Sequence, residues 1–507
     1  MKRALLSVTD KTGIVELAKG LDELGYEVIS TGGTLKTISD AGVKVKGIEE
    51  ITGFPEILDG RVKTLHSVVH GGILFKRDKD SHVKTVEELK IDPIDVVAVN
   101  LYDFEGTLKS GKSHEDIVEH IDIGGPSMVR SAAKNYKDVL ILTDPKDYAE
   151  VLERIKTDTA DIEFREKLAA KAFAQTAYYD SIISAYFRKK TGIETDTYSI
   201  GLKEDGNLRY GENPHQNAKL YKDSAETGIL SDYVQYSGKE LSFNNLNDLN
   251  TAVELAKLLY DKKYTAVVAL KHATPCATAY ADTIYDAYMK AYEGDKESIF
   301  GGIVACTAKV DKKTAEKMHE IFLEIIAAPD FDEDALEVLK QKKNLRILKI
   351  DFSLPVVQTD IKYLNGKVLI QEKDGRAEEK YDVVTEKQPT DKEKADMLFA
   401  MDVCRFAKSN AVTVVKDGAT LGIGGGQTSR IWALESIRNN QKDKDFTGAV
   451  LASDAFFPFA DCVETAHQMG ITAIIQPGGS IRDKESIESC NKYGIAMVFT
   501  GIRHFRH

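Results

Sequence analysis

Short apolar runs separated by amphipathic segments recur along the chain. Residues 3–8 and 26–30 are runs typical of strands, and apolar positions at helical spacing between them predict a helix that Asp10 caps and Gly25 ends. The pattern returns at 94–101 and 139–142, and a helical stretch covers 164–188. Strands that alternate with helices predict a mostly parallel sheet, because parallel strands are joined by crossover helices.

The second half repeats this alternation. Helical periodicity at 249–260 and 281–292 flanks an apolar strand at 264–270, and four further strand candidates follow between residues 411 and 475. Each part contains a helix, a strand and then a polar cluster, which predicts two similar lobes. Asp374-Gly375 is a strong turn signal and predicts a hairpin over 367–384. The fold class is therefore α/β throughout.

A polar segment at 189–207 interrupts the pattern. The chain has 507 residues, too many for one ordinary core, so we expect the domains to be 1–195 and 196–507.

Composition narrows the class of protein. The net charge is −12, which argues against a nucleic-acid partner. No apolar run is long enough for a membrane span, and the first residues lack a signal peptide's hydrophobic stretch. The five cysteines are scattered, which predicts no disulfide framework and a cytoplasmic location.

Polar clusters in the first part lie where a strand ends or a helix begins. A glycine turn at 30–34 follows one strand, and Asn100 and Tyr102 follow another. Residues 61–66 gather three basic side chains and a hydroxyl, and Asp122 precedes a second glycine turn. Each cluster alone is equally typical of a plain turn or a solvated basic surface. Together they predict a phosphate pocket with acid and base groups.

Residues 209–216 carry the most informative sequence, Arg-Tyr-Gly-Glu-Asn-Pro-His-Gln. They have neither helical nor alternating periodicity, so they predict a loop, either one that grips a polar ligand or a plain surface turn. Lys271 and His272 follow the buried run 265–270, at the end where open α/β sheets bind ligands. A cation beside a base suits proton removal from an amine with stabilisation of an oxyanion. The alternative is a strand-end lysine beside a structural histidine.

Three further segments extend this hypothesis. Phe300 and Gly301 offer an aromatic platform and close backbone approach, and residues 408–410 with the glycine-rich run 422–430 resemble a second ligand-binding loop set. Asp454 stands beside three phenylalanines, an arrangement that suits a flat heteroaromatic such as a pterin, or a helix cap in an ordinary core.

The chain ends with a basic cluster, Arg503 to His507, directly after an apolar strand. Terminal segments usually fray, but this one is a candidate phosphate contact.

Pro275-Cys276 matches half of a zinc-deaminase signature, yet position 279 is Ala where the second Cys would stand. We therefore expect no metal.

The motifs together resemble a known family over the whole length of the chain, the bacterial-type bifunctional enzymes of purine synthesis that act as transformylase and inosine monophosphate cyclohydrolase. Asp103 and Ala277 depart from the family pattern, where Pro and Gly are usual, and both only flank the chemistry. The matching segments are 30–34, 61–66, 121–126, 209–216, 271–272, 453–459 and 503–507.

The resemblance implies a methylglyoxal-synthase-like N-terminal domain that closes the purine ring. It implies a doubled cytidine-deaminase-like C-terminal domain, without zinc, that formylates the 5-amine of aminoimidazole carboxamide ribonucleotide from 10-formyltetrahydrofolate. It also implies a homodimer with transformylase sites at the interface, and it leaves a monovalent cation open.

The resemblance also assigns residues to the cyclohydrolase. Which lysine is the base is not decided by the sequence. The implied catalytic set is Lys63, Tyr102, Asp122 and Lys134, and the implied substrate contacts are Ser7, Lys11, Thr31, Gly32, Gly33, Thr34, Arg61 and Thr64.

For formyl transfer, the resemblance implies His272 as the base, with Lys271 and Asn410 stabilising the oxyanion. Ile423 and Asp454 are the implied folate contacts. The implied nucleotide contacts are Arg209, Tyr210, Phe300, Gly301, Arg503, Phe505 and His507.

Two other functions fit parts of the sequence. A non-catalytic nucleotide sensor would use the first domain but leaves Lys271-His272 and Asp454 unexplained. A zinc deaminase lacks its second cysteine.

Overall fold

A computed structural model describes residues 2–375 and 380–507. These residues form two compact α/β units. One comprises the chain up to Lys203 together with Tyr221–Ala225, and the other comprises Glu204–Leu220 and the chain from Glu226 onwards. The predicted α/β class is confirmed in each unit.

The first unit contains a five-stranded sheet in which every pairing is parallel. Its strands are β1 (Lys2–Ser7), β2 (Tyr26–Ser30), β3 (Lys46–Gly47), β4 (Val96–Val99) and β5 (Leu140–Leu142). The spatial order is β3-β2-β1-β4-β5, so the winding direction reverses between β1 and β4. Such a reversal opens a crevice at the carboxyl ends of the strands, where α/β sheets bind ligands.

Helices cover this sheet, and their apolar faces form one buried core with the strands. The first helix begins at Ile14 rather than after Asp10, whose carboxylate accepts a hydrogen bond from Thr12 N (3.0 Å), and Gly25 follows its end with a φ of 84°. The helices are α1 (Ile14–Glu23), α2 (Gly32–Asp40), α3 (Ile48–Thr52), α4 (Ser67–Leu74), α5 (Asp80–Glu88), α6 (Phe104–Lys109), α7 (His114–Glu119), α8 (Gly124–Lys134), α9 (Tyr148–Lys156) and α10 (Ile162–Thr191), with 3₁₀ turns at Leu58–Gly60 and Pro145–Asp147.

The strands β6 (Leu202–Leu208) and β7 (Ala218–Asp223) form a separate two-stranded sheet, and the second unit is built on a twelve-stranded mixed sheet. The strands of the large sheet are β8 (Tyr233–Ser237), β9 (Ala266–Lys271), β10 (Thr274–Tyr280), β11 (Ile303–Cys306), β12 (Ile325–Ala328), β13 (Arg346–Ile350), β16 (Asp382–Val383), β17 (Val412–Lys416), β18 (Ala419–Gly424), β19 (Val450–Ser453), β20 (Ala473–Gln476) and β21 (Ala496–Phe499), while β14 (Thr359–Tyr363) and β15 (Val368–Glu372) form a separate hairpin.

The large sheet consists of two lobes with the same topology. One lobe has the order β8-β13-β12-β11-β9-β10 and the other β16-β21-β20-β19-β17-β18, with parallel and antiparallel pairings in the same places. The lobes join through β10 and β18, where Ala279 pairs with Ala419. The prediction of two similar lobes is confirmed.

Helices cover both faces of this sheet. α11 and α15 occupy corresponding places in the two lobes and share one core, and each begins with a reciprocal capping pair, Ser242 with Asn245 and Thr390 with Glu393. The other helices cover the opposite face of each lobe. The helices are α11 (Phe243–Asp261), α12 (Ile284–Gly294), α13 (Lys312–His319), α14 (Glu333–Leu339), α15 (Asp391–Cys404), α16 (Arg430–Asn440), α17 (Asp461–Gln468) and α18 (Asp483–Tyr493).

The hairpin predicted over 367–384 is wrong. β15 pairs with the preceding β14 through a turn at Gly366, which has a φ of 81°, and β16 pairs with β21 instead. Residues 376–379 of the predicted hairpin lie outside the described residues. Gly366 of the Asn365-Gly366 step supplies the left-handed conformation of the observed turn. Asp374-Gly375 contains a glycine that could do the same, so the residue types alone could not choose between the two turns.

Candidate active sites

A cavity of about 1040 Å³ opens at the carboxyl ends of the parallel strands of the first unit. This is the crevice that the reversal of strand order predicts. Of the residues predicted for the N-terminal site, those that line it are Ser7, Lys11, Thr31, Gly32, Gly33, Thr34, Arg61, Lys63, Thr64, Tyr102 and Asp122.

One wall of this cavity is the N-terminus of α2. Thr31 precedes the helix and makes no capping hydrogen bond with its side chain. Gly32 has a φ of 44°, and a Cβ there would lie 3.7 Å from Lys63 Nζ, while a Cβ on Gly33 would lie 3.8 Å from Lys11 Nζ. Two ammonium groups thus stand over the first turn of a helix, where N–H groups and the helix dipole favour an anion.

Asp122 also lines this cavity, shortly before α8. Its Oδ1 accepts a hydrogen bond from Gly125 N (2.8 Å), and its own N–H donates to Tyr179 Oη (2.8 Å). Burial raises the pKa of the Asp122 carboxyl, and the N–H groups of Gly125 and Tyr102 and the charge of Lys63 oppose that rise. A buried carboxyl with a raised pKa near an ammonium group is a candidate for proton exchange.

Two predicted residues, Arg61 and Lys134, are placed differently from the rest of the predicted set. Arg61 is ion-paired with Glu119 at the cavity rim, and both side chains are exposed. The helix α8 has eleven residues and is therefore about 16 Å long. Lys134 is its last residue, whereas Asp122 precedes its first turn, so the two residues lie at opposite ends of the helix. Lys134 lines another cavity, of about 680 Å³, together with Arg130 and Phe173. The structure does not bring Lys134 together with the rest of its predicted set.

In the second unit, Lys271 ends β9 and His272 begins the turn to β10. The strand is antiparallel to both neighbours, so these residues lie in a hairpin turn and not at the open end of a parallel strand, as the sequence analysis assumed. Lys271 Nζ donates to the carbonyl of Phe300 (2.9 Å), and the His272 side chain is exposed. The structure therefore brings Lys271, His272 and Phe300 together.

The loop 209–216 contacts the start of α11. Asn244 Nδ2 donates to Glu212 O (3.2 Å), and within the loop Gly211 N donates to Gln216 O (2.8 Å). The Arg209 guanidinium lies over the Tyr210 ring at 4.6 Å and donates to its hydroxyl (2.9 Å). The pair forms a preassembled cation and aromatic surface.

The second lobe contributes a buried polar network. Asp454 is 0 % exposed, forms an ion pair with Arg430 and accepts a hydrogen bond from Ser409 Oγ (2.5 Å). Arg430 Nη2 donates to Asn410 Oδ1 (2.9 Å), and Asn410 Nδ2 donates to Gln427 O (3.0 Å). The Asp454 carboxylate is thus fully engaged, so contact with a ligand would require one of its partners to move.

The C-terminal segment is ordered, contrary to the default expectation of a frayed tail. Its side chains alternate: His504 is 1 % exposed, whereas Arg503, Phe505 and His507 face outwards. His504 Nδ1 lies 2.6 Å from Asp374 Oδ2, and His504 N donates to Asp454 O (2.9 Å). An extended segment presents alternate residues to opposite sides. One side anchors the tail, and the other carries the three residues predicted to bind nucleotide.

Arg506 ties the tail to two other segments. Its N–H donates to Ser409 Oγ (3.0 Å), and its guanidinium lies 3.4 Å from Thr251 Oγ1 and 3.6 Å from Glu254 Oε2, both on α11.

Comparisons with known proteins agree with this geometry. The family model described as AICARFT/IMPCHase bienzyme matches residues 132–439, and the model of an MGS-like domain matches residues 13–127. Relatives named bifunctional purine biosynthesis protein PurH match along 100 % of both chains, at 58 % identity in Clostridioides difficile, 52 % in Acetivibrio thermocellus and 53 % in a Thermoanaerobacter species.

The chain belongs to the AICARFT/IMPCHase bienzyme family. The resemblance indicated by the seven motifs is confirmed, and so is the MGS-like fold of the N-terminal part. A solved structure titled "Crystal structure of ForH" is 37 % identical over 37 % of this chain and 98 % of its own, with a TM-score of 0.33.

Two searches of the described residues gave negative results. None of their helices is long and apolar enough to cross a membrane. No group of three or more His, Cys, Asp or Glu side chains among residues 2–375 and 380–507 is arranged to hold a metal ion.

The structure gives a role to Asn100, which the sequence analysis placed at a strand end, and it reveals Asp248, which sequence reasoning missed. Asn100 Oδ1 accepts hydrogen bonds from Thr9 N (2.5 Å) and Asp10 N (3.0 Å), which holds the β1–α1 loop at the cavity rim. Asp248 of α11 accepts a hydrogen bond from Ala273 N (2.7 Å) beneath the His272 turn. Aligning the two lobes in the sequence would have exposed Asp248, because Asp396 stands at the corresponding position of α15.

Stability measurements should separate the two sides of the tail. Deleting residues 503–507 should lower the melting temperature of the second unit, because it removes the buried His504 and the Arg506 anchor. Loss of a hydrogen bond to a charged group costs about 1.5–3 kcal/mol. Arg503→Ala should leave the melting temperature unchanged, since its side chain is exposed. Equal melting temperatures for the deletion and the full chain would contradict the anchored arrangement.

Proposed function

We propose that this protein catalyses two consecutive reactions of purine synthesis. It transfers the formyl group of 10-formyltetrahydrofolate to the 5-amine of aminoimidazole carboxamide ribonucleotide, and it closes the formylated product to inosine monophosphate with loss of water. The observation that carries the proposal is similarity over the full length to proteins named bifunctional purine biosynthesis protein PurH. The cavity of the first unit supports it, because all the predicted N-terminal site residues except Lys134 line that cavity.

Ring closure is assigned to this cavity. The carboxamide nitrogen attacks the formamide carbonyl, and the resulting carbinolamine loses water. Lys63 stabilises the oxyanion, with Tyr102 as a further donor. Asp122 takes the proton that the attacking carboxamide nitrogen releases and passes it to the oxyanion, and the hydroxyl then leaves as water with the proton of the former formamide nitrogen as the C=N bond forms. The α2 N-terminus and Lys11 hold the nucleotide phosphate. The raised pKa of the Asp122 carboxyl supports its proton-transfer role.

Lys134 belongs to the proposed catalytic set by resemblance alone. Its position in a different cavity supports Lys63, rather than Lys134, as the lysine beside the reacting atoms.

Formyl transfer is assigned to the second unit. The amine is conjugated with the carboxamide and is a poor nucleophile, so its proton must leave as it attacks the formyl carbon. His272 accepts that proton, and Lys271 stabilises the tetrahedral oxyanion, with Asn410 as a further donor. An ammonium group has three donors, so the bond to the Phe300 carbonyl leaves two for the oxyanion.

The remaining predicted residues are assigned to binding. Arg209 and Arg503 hold the phosphate, an assignment their outward-facing guanidinium groups support. The nucleotide also contacts Tyr210, Phe300, Gly301, Phe505 and His507, and the folate contacts Ile423 and Asp454.

The two activities are assigned to separate domains, residues 1–195 and 196–507. The compactness of the first unit, which ends near this boundary, supports the division. The buried, unpaired state of four of the five cysteines is compatible with a reducing cytoplasm.

The functional form is proposed to be a homodimer. The β14–β15 hairpin supports a partner: it belongs to no larger sheet, and one of its faces exposes Tyr363 (72 %), Val368 (45 %) and Ile370 (45 %). An isolated two-stranded hairpin is marginally stable in water, and clustered exposed apolar side chains mark interaction surfaces.

His272→Ala should lower the rate of formyl transfer by about 10²–10⁴-fold, the usual contribution of a general base. Cyclisation measured separately on the formylated nucleotide should be unchanged. Asp417→Ala is the matched control, because Asp417 occupies the same turn position in the other lobe with nearly the same φ (55° against 53°). A formyl-transfer rate within a few-fold of wild type would remove His272 from the mechanism.

Residues 1–203 expressed alone should cyclise the formylated nucleotide and fail to formylate. In the full chain, Lys63→Ala and Asp122→Asn should each reduce cyclisation by at least about 100-fold, since each removes a group at the reacting atoms. Lys134→Ala distinguishes geometry from resemblance: a small effect supports the cavity assignment, and a loss as large as that of Lys63→Ala contradicts it. A soluble but inactive fragment would count against the division of activities.

Sedimentation velocity should give a mass near twice the 56.1 kDa of one chain. Ile370→Asp should shift the protein towards monomer and lower formyl transfer while sparing cyclisation. Lys362→Asp is the control, because Lys362 lies on the opposite face of the hairpin and is already polar. A monomeric wild type, or an Ile370→Asp variant that stays dimeric, would contradict this interface.

A further inference from the structure

The turn that carries His272 has an unusual backbone for its sequence. His272 and Ala273 have φ values of 53° and 54°, and they form a two-residue connection between Lys271 and Thr274. Hairpins of this kind favour Asn-Gly or Asp-Gly, because both central residues must be left-handed. A residue with a Cβ is strained in that conformation. Surrounding contacts must therefore hold the turn.

Asp248 supplies those contacts from below. Its Oδ1 accepts a hydrogen bond from Ala273 N (2.7 Å), and the N–H of His272 also points to the carboxylate. Burial raises the pKa of the Asp248 carboxyl, and these two N–H groups and the nearby imidazole oppose the rise. One carboxylate thus satisfies both amides of the strained turn.

The second lobe contains the same device without the histidine. Asp396 accepts hydrogen bonds from Asp417 N (2.9 Å) and Gly418 N (2.8 Å) in the turn between β17 and β18. Asp248 and Asp396 are each the sixth residue of their helix. The turn there is Asp-Gly, the sequence this geometry favours.

The lysine before each turn is also repeated. Lys271 Nζ donates to Phe300 O (2.9 Å), three residues before β11, and Lys416 Nζ donates to Thr447 O (2.7 Å), three residues before β19. The carboxylate, the lysine and the carbonyl are therefore common to both lobes. The first lobe differs in placing His-Ala where the second has Asp-Gly.

We propose that Asp248 is a positioning residue for formyl transfer, which clamps the left-handed His272-Ala273 backbone so that the imidazole is presented to the nucleotide amine. This inference rests on the proposed role of His272 as the base. An unfavourable turn sequence kept at a reacting group indicates that the strain serves the site. Asp396 performs the same backbone task where no reacting group depends on it.

Other contacts of α11 fit this role. The same helix binds the 209–216 loop through Asn244 and the tail through Thr251 and Glu254, on either side of Asp248. Asp248 and Thr251 are about 4.5 Å apart along the helix axis. Asp248 therefore fixes the position of His272 along the α11 axis relative to the two segments proposed to hold the nucleotide.

The test compares Asp248→Ala and Asp248→Asn with Asp396→Ala and Asp396→Asn in the full-length protein. Steady-state formyl transfer, cyclisation and melting temperature are measured for each. Asp248→Ala should lower kcat for formyl transfer about ten- to a hundredfold, the scale of a 1 Å misplacement, with KM for the ribonucleotide within about threefold. Asp396→Ala should lower the melting temperature by about as much as Asp248→Ala does, but it should leave kcat for formyl transfer within about twofold of wild type. Cyclisation should be unchanged in all four.

A second comparison tests whether Asp248 acts through His272. In a His272→Ala background, Asp248→Asn should cause no further loss, because groups that act as one unit are not additive. Ala273→Gly added to Asp248→Ala should recover part of kcat, since glycine adopts a positive φ without help.

Three results would overturn the inference. The first is an equal loss of kcat in the Asp248 and Asp396 variants, and the second is a wild-type kcat in Asp248→Asn. The third is a loss of kcat from Asp248→Asn that is as large in the His272→Ala background as in the wild type. If Asp248→Ala does not fold, the comparison of Asp248→Asn with Asp396→Asn decides the test, because asparagine has nearly the same shape as aspartate. A wild-type protein unable to formylate, or a fully active His272→Ala variant, would instead refute the proposed function itself.

Discussion

The polar face of one helix joins the segments proposed to form the formyl-transfer site. At successive turns α11 binds the 209–216 loop, the His272 turn and the C-terminal tail, through Asn244, Asp248 and the pair Thr251 and Glu254. Residues four or three apart lie on one face of a helix, so a single rigid element sets the spacing of three distant segments. Its opposite face is buried in the core that both lobes share, which prevents it from shifting.

Duplication explains how such a site can arise on an ordinary framework. Both lobes keep the same strand order, the same helix, the same carboxylate under the same turn and the same lysine. The second lobe retains the relaxed Asp-Gly turn, and the first accepts two strained residues to place an imidazole there. Because the clamp satisfies the amides in both, the exchange changes the chemistry of the turn and leaves the sheet intact.

Sequence pattern predicted the elements well and their partners poorly. The apolar runs located four of the five strands of the first unit and most strands of the second lobe, since burial imposes them locally, but β8, β10, β12 and β13 of the first lobe were not predicted. Pairing depends on distant contacts: nothing near Asp374-Gly375 reveals that β15 pairs backwards and that β16 joins β21. The polar clusters that line the cavity were predicted because strand ends and helix starts are visible in the sequence, whereas Ser7 and Lys11 were assigned by resemblance alone. Asp248 lies in mid-helix, where an acidic residue resembles a solvated one.

The two units use buried carboxylates in opposite ways. Asp122 borders an open cavity, receives N–H donors and has no directly bonded cation, so burial leaves its pKa raised and its proton exchangeable. Asp454 is wholly enclosed and joined to Arg430 and Ser409. Removing one partner from such a buried pair costs about 3–5 kcal/mol, so the pair favours one fixed arrangement. Through Ser409 and the Asp454 backbone this arrangement fixes the tail, and through Arg430 it fixes Asn410. In the proposed mechanism the first carboxylate moves a proton, whereas the second holds other groups still.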